Sequence, residues 1–285
     1  MSRELALYQQ IERSIITKYR KKLWIPFVNA ITQYDLIQAG DRIAVCISGG
    51  KDSMLMAKLM QELHRHTKVP FELLFLVMDP GYNEMNRQKI EDNAQLLHIP
   101  ITIFETNIFS VANQSEHSPC YLCARMRRGY LYRKAQDLGC NKIALGHHFN
   151  DVIETTIMSM FYGGQLQAML PKLHSKHFAG MQLIRPLYCV HEEAILAWKR
   201  YNGLEFIQCA CRFTENCAMH DDRGGSKRQE VKMLLRRLKR DNPNIEKSIF
   251  NSIHAVCLDT MPGYKSKGIR HSFLETYDTD GPGQT

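Results

Sequence analysis

Five short apolar runs recur along the chain, separated by helical patterns, and this alternation restricts the fold more than any other feature. The runs are RIAVCIS (42–48), FELLFLVM (71–78), ITIFE (101–105), KIALG (142–146) and MQLIRPL (181–187). Near-continuous apolar runs of this length suit strands buried on both faces. Between them, Ser53 to His66 places Leu55, Leu59 and Leu63 at four-residue steps, and Tyr130 to Leu138 ends at Gly139, a helix stop. Strand–helix alternation predicts a doubly wound α/β fold on a parallel five-stranded sheet. Ligands on such sheets bind beyond the carboxyl ends of the strands.

The sequence divides into an N-terminal helical segment (1–40), the α/β domain (41–188), a helical extension (189–260) and a Gly-, Asp-, Thr- and Pro-containing stretch (261–285) expected to be a mobile tail. The extension holds helical patterns from His191 to Tyr201 and from Ile245 to Val256, a cysteine-rich segment and a basic helix. The opening 24 residues read as a charged amphipathic helix and not as a secretory signal, and no run reaches the roughly eighteen apolar residues of a membrane span. A cytoplasmic protein with no membrane partner is expected.

Lysine and arginine number 37 against 29 aspartates and glutamates, a net charge of +8 whose field attracts polyanions. The excess is clustered. Five basic and no acidic residues lie between Arg125 and Lys134, and seven basic against one acidic between Lys227 and Arg240, which makes nucleic acid the expected partner.

The first apolar run leads directly into SGGKDS, Ser48 to Ser53, and then a helix. A glycine turn of this kind presents backbone N–H groups and a helix N-terminus to an anion. It lacks the four-residue spacer of the GxxxxGK[ST] loop. Nine cysteines without a secretory signal point to metal or redox chemistry. Cys120 and Cys123 form a Cys-x-x-Cys pair, and Cys209, Cys211 and Cys217 offer later ligands. Cys46, Cys140 and Cys189 read as small core residues, and Cys257 is uninformative.

SGGKDS after a hydrophobic strand resembles the PP-loop of ATP pyrophosphatases, enzymes of the adenine nucleotide alpha hydrolase-like fold that cleave ATP between its α and β phosphates. LGHHFNDVIET (145–155) resembles the later motif of PP-loop enzymes that modify tRNA bases. The succession of this loop, Cys-x-x-Cys-x-Arg-x-Arg-Arg-Gly-x-Leu-Tyr, GHH-x-x-D, FYGG (161–164) and a late cysteine, over about residues 15 to 260, resembles the tRNA 2-thiocytidine synthetase family.

The resemblance implies ATP-dependent thiolation of a tRNA base through an adenylated intermediate, with ATP, Mg2+ and a [4Fe-4S] cluster on Cys120, Cys123 and Cys209. The family commonly carries a second Cys-x-x-Cys at the late site, where this chain has Cys-x-Cys and then Cys217, so Cys211 or Cys217 can replace or supplement Cys209. Ser48, Gly49, Gly50 and Ser53 would cradle phosphate, Lys51 would offset its charge, and Asp52 would hold magnesium. Asp151 is a second metal or base candidate, and Gly146 and His147 would meet the nucleotide. Arg127, four residues after Cys123, could face the α phosphate, and Asp79 is a nucleotide contact or a turn residue before Pro80-Gly81. A sulfur donor such as a cysteine desulfurase is implied, and pairing into a homodimer is left open. A 2-thiouridine synthetase, a cluster-free PP-loop ligase, a zinc site in place of the cluster, and a zinc-held RNA-binding module without enzymatic activity are the competing readings.

Overall fold

The computed structural model describes residues 5–108, 119–207 and 227–277. Strands β1 (Arg42–Ile47), β2 (Glu72–Asp79), β3 (Ile101–Glu105), β4 (Lys142–Ala144), β5 (Lys172–His174) and β6 (Gln182–Ile184) form one sheet in the order β3-β2-β1-β4-β6-β5. The five expected strands pair in parallel. A sixth, β5, was not expected and pairs antiparallel with β6 at the edge.

Helices cover both faces because the strands are apolar on both. Along β1, Ile43, Val45 and Ile47 belong to one buried cluster and Ala44 and Cys46 to another, the two-residue alternation of a strand. The first cluster takes in Leu55 and Leu59 of α3 (Lys51–His66), at the four-residue steps expected of a buried helix face, with Ile90 and Ala94 of α4 (Glu84–Leu96). The second takes in Tyr132 and Ala135 of α5 (Pro119–Asp137).

The N-terminal stretch is not one helix. It breaks into α1 (Leu7–Ile16), a π-helical turn (Arg20–Trp24) and α2 (Ile25–Gln33), with Pro26 in the first turn of α2, where a missing N–H costs nothing. Ile11, Ile15, Leu23 and Phe27 are buried in the first cluster. Two buried ammoniums anchor this region: Lys58 of α3 lies 2.5 Å from Glu12, and Lys142 of β4 lies 2.6 Å from Asp41.

Helix α6 (Phe149–Gly163) follows β4 and stops at Gly164, which is left-handed at φ 59°. Helix α7 (Glu192–Tyr201) carries Trp198, fully buried among the residues of the first cluster. Helix α7, which follows residue 189, thus packs into the α/β core. Two compact units are formed, residues 1–232 and 233–285, and the division falls inside α8 (Lys227–Asp241).

The second unit holds the remainder of α8, α9 (Ile245–Ser252) with Lys239 2.8 Å from Glu246, and an antiparallel hairpin of β7 (Gly263–Ser266) and β8 (Ile269–Ser272). The hairpin occupies part of the stretch expected as a tail. Its two-residue turn has Lys267 at φ 49° and Gly268 at φ 88°, the positive angles that match hairpin twist.

Candidate functional site

The loop after β1 is shaped by one glycine. Gly49 sits at φ 80°, and a Cβ there would lie 2.6 Å from Ile90 Cγ1 and 2.7 Å from Ile207 Cδ1, so a side chain is excluded by conformation and by space. Ser53 braces the turn: its Oγ accepts from the Ser48 N–H at 3.1 Å and donates to the Gly50 carbonyl at 3.0 Å. Gly50 caps α3, whose first-turn N–H groups carry the helix's positive end. The result is a braced concave turn with amides at its mouth, suited to phosphate.

The two motifs, about a hundred residues apart, meet because of strand order. From β1 the chain runs outward to β3, then returns to β4 on the other flank of β1, so the loops after β1 and β4 adjoin at the switch in direction. Their approach is close at Gly146, where a Cβ would lie 3.2 Å from Ser53 N and 3.3 Å from Asp52 C. The next residues cap α6 reciprocally. His148 Nδ1 accepts from the Asp151 N–H at 3.3 Å, and Asp151 Oδ2 accepts from the His148 N–H at 3.0 Å.

Asp52 faces one of the two motif histidines. Buried His148, which no motif role had been assigned, puts Nε2 3.8 Å from Asp52 Oδ1, and that oxygen is buried with no hydrogen-bond partner among the described residues. His147 Nδ1 is also buried and has no hydrogen-bond partner among the described residues, and burial, with Arg185 adding to it, holds the His147 pKa down at about 4. It is a neutral imidazole at pH 7.

Charges at the mouth are interlocked. Lys51 Nζ lies 3.0 Å from Asp52 Oδ2 and 3.2 Å from Glu192 Oε1, while Lys232 lies 2.7 Å from Glu192 Oε2. Burial opposes the charge on Lys51, but Asp52 and Glu192 outweigh it and its pKa is raised. Burial likewise opposes ionisation of Glu192, yet Lys232 and Lys51 hold it at about 2. Arg228 lies 3.3 Å from Asp151 Oδ1 and 3.7 Å from Glu154, and its Nη2 donates to Thr155 Oγ1 at 3.3 Å. No local sequence pattern singles out Glu192, Arg228 or Lys232 as a site residue.

The basic helix is thus divided in use. Its first turns carry Lys227 over the Tyr162 ring, Glu230 accepting from Tyr162 Oη at 2.5 Å, Arg228 and Lys232, all engaged. Arg236, Arg237 and Arg240, farther along, are exposed. On α5, Arg125, Arg128 and Arg133 are exposed and Arg127 is half-buried.

Asp79 resolves toward the turn. Its Oδ1 accepts from the N–H groups of Gly81 and Tyr82 at 2.8 and 2.7 Å, and Oδ2 pairs with Arg87 at 3.0 Å. Both oxygens are occupied in holding the chain after β2, which leaves little for a nucleotide.

Cys120 and Cys123 stand three residues apart in α5. Their side chains, and all of Cys209, Cys211 and Cys217, lie outside the described residues. The fit to a cluster rests on the Cys-x-x-Cys sequence spacing, which lets two cysteines reach one metal centre. Cys46 and Cys140 are buried, and burial pushes the Cys46 thiol up to about 12 and the Cys189 thiol up to about 11, so these are unreactive packing groups.

The PP-loop domain family matches this chain at residues 18–212. The tRNA-cytidine(32) 2-sulfurtransferase of Citrifermentans bemidjiense is 34% identical over 86% of this chain and 93% of its own length. The enzyme of the same name from Cellvibrio japonicus is 36% identical over 88% of this chain and 81% of its own. Among solved structures, the U34-tRNA thiolase NcsA from Methanococcus maripaludis, determined with its [4Fe-4S] cluster, superposes with a TM-score of 0.62 at 21% identity, covering 91% of this chain and 81% of that one, which shows a shared fold.

Proposed function

We infer the activity from membership: the chain belongs to the PP-loop family, among the tRNA-cytidine(32) 2-sulfurtransferases, and is an ATP-dependent tRNA thiolase that places sulfur at C2 of cytidine 32. The single observation that carries the reading is the juxtaposition of the braced SGGKDS turn with the GHH-x-x-D helix start, an anion cradle whose Asp52 keeps a buried oxygen unpartnered among the described residues.

A ring carbonyl oxygen is a poor leaving group, so it must be activated before sulfur replaces it. In the proposed sequence, cytidine O2 attacks the α phosphate and pyrophosphate leaves. Sulfur at the sulfide level then adds to C2, and the C2–O bond breaks to release AMP. Bonds and electrons balance without an oxidant. The chain's contribution is to hold and neutralise: the Gly49–Gly50 turn and the α3 N-terminus take the departing pyrophosphate, Lys51 offsets its charge, and Arg127 serves the α phosphate. Asp52, with Asp151, supplies hard oxygen donors for Mg2+, which would neutralise phosphate charge. Cys120, Cys123 and one late cysteine would hold the [4Fe-4S] cluster, which when bound supplies an iron that presents the sulfur. A cysteine desulfurase as the sulfur source, with a thiol reductant supplying the two electrons that bring its persulfide sulfur to the sulfide level, and a cytoplasmic location complete the proposal; a homodimer is not required by it.

The test is a single-turnover reaction with ATP labelled at the α and γ phosphates and unmodified tRNA. AMP, pyrophosphate and 2-thiocytidine are expected in equal amounts. Release of ADP would remove the adenylation step, and thiolated uridine would move the chain to another base specificity.

Docking of tRNA belongs to the exposed arginines. Changing Arg236, Arg237 and Arg240 to glutamate is expected to weaken tRNA binding and flatten its salt dependence, by roughly 0.7–0.9 in log–log slope for each phosphate left un-neutralised, with ATP binding retained. Arg127→Ala should instead lower turnover far more than affinity. A filter-binding salt titration beside single-turnover thiolation reads both, and equal loss of affinity in the two variants would return Arg127 to the docking surface.

A further inference from the structure

One carboxylate at the mouth of the phosphate loop holds two ammoniums. Glu192 Oε1 lies 3.2 Å from Lys51 Nζ and Oε2 lies 2.7 Å from Lys232 Nζ, with side-chain exposures of 16%, 22% and 26% for the three residues. Glu192 is itself fixed, since its backbone N–H donates to Asn150 Oδ1 at 3.0 Å in the first turn of α6. Lys232 therefore shares a carboxylate with the loop lysine, from a helix whose charge invites assignment to tRNA. Its neighbours Arg228 and Lys227 pin the same turns to α6. A lysine serving a docking surface gains nothing by this inward placement, whereas pyrophosphate, a highly charged leaving group, needs more positive charge than a single lysine beside Asp52 supplies.

We propose that Lys232 is a second phosphate-binding cation of the ATP site, and that Glu192 is a positioning residue that sets Lys51 and Lys232 side by side at the loop mouth. The proposal rests on the ATP-pyrophosphatase reading above. It names residues which the loop motif does not contain and gives the first turns of α8 a role in the chemistry distinct from that of its exposed arginines. Arrival of phosphate exchanges one carboxylate for phosphoryl oxygens at the same two ammoniums, so the cations are held in place before the ligand arrives.

The experiment is calorimetric titration of the full chain with pyrophosphate and with ATP, in the absence of tRNA, beside steady-state thiolation. Lys232→Met is expected to weaken pyrophosphate binding by about tenfold or more and raise the KM for ATP, with tRNA affinity unchanged, and Lys232→Arg should restore most of the loss. Glu192→Gln gives the sharper sign. Removing a negative charge near an anion site would tighten pyrophosphate binding if Glu192 acted only through its charge; as a positioning residue its loss loosens binding and lowers kcat. Arg236→Ala should leave pyrophosphate binding unchanged. Wild-type affinity in Lys232→Met overturns the phosphate role, and tighter binding in Glu192→Gln overturns the positioning role. Failure of the wild-type chain to bind either ligand would instead overturn the ATP-pyrophosphatase reading itself.

Discussion

Asp52→Ala is expected to lower the rate of AMP and 2-thiocytidine formation by about 10²–10³ while the iron content stays at the wild-type level. The size is that of removing one preorganised charge from a site where charge develops in the transition state. Asp52 has one oxygen 3.0 Å from Lys51 and another buried with no hydrogen-bond partner among the described residues, an arrangement that is costly in a folded protein unless a ligand completes it. The fold should survive the change. Lys51 keeps Glu192 as a partner, and the loop is braced by Ser53 and not by Asp52. Lys51→Ala should lose turnover comparably, since it removes the cation that faces both carboxylates. Single-turnover thiolation, with iron and bound ATP measured on the same samples, separates the outcomes. Turnover near wild type in Asp52→Ala would detach this carboxylate from the reaction, and parallel loss of iron would mean that the two parts of the site fold as one.

Much of this site was legible in the sequence for a physical reason. SGGKDS is a continuous segment between a buried strand and a helix, so its geometry is set locally, and Gly49 at φ 80° fills the position such a turn reserves for glycine. GHH-x-x-D is likewise local, a helix start. What places them together, the order of β1 and β4, follows from the alternation of strands and helices. The residues that were missed belong to no local pattern. Glu192 reads as an ordinary acidic residue in the first turn of α7, and Arg228 and Lys232 read as members of a basic run; only tertiary packing gives them their partners. The doublet His147-His148 shows the limit most plainly. Both residues match the motif, yet His148 caps α6 and faces Asp52 while His147 is buried near Arg185, and nothing in the pair distinguishes them.

The fold shows the same division. Strand β5 spans three residues, Lys172–His174, with no apolar run to announce it, and exists through its pairing with β6. The β7–β8 hairpin lies inside a stretch whose composition reads as a tail, and its turn residues Lys267-Gly268 lack the Asn-Gly or Asp-Gly pair that announces a two-residue hairpin turn. Asp79 takes the turn role because a carboxylate two residues before Gly81 can close a turn on its own backbone, and here it does.

Cys120→Ser and Cys123→Ser are each expected to take the anaerobically purified protein from brown and about four irons per chain to nearly colourless and iron-poor. Serine at either position breaks the Cys-x-x-Cys spacing that lets two thiolates reach one metal centre. Serine matches the volume and removes the soft donor, so a loss of iron reports coordination and not packing. ATP binding should persist in both variants, because the phosphate loop is braced within its own segment by Ser48, Gly50 and Ser53. The control for misfolding is that binding, measured on the same colourless sample. Serine substitutions at Cys209, Cys211 and Cys217 extend the test to the late ligand: the one that bleaches the protein is the third donor, and bleaching by two of them would indicate four protein ligands and a closed site. A closed site leaves no iron free to carry sulfur, so that result would preserve the metal while removing its proposed role. Stoichiometric zinc with no iron after anaerobic reconstitution would remove the cluster altogether and leave the PP-loop chemistry to be explained with another source of sulfur.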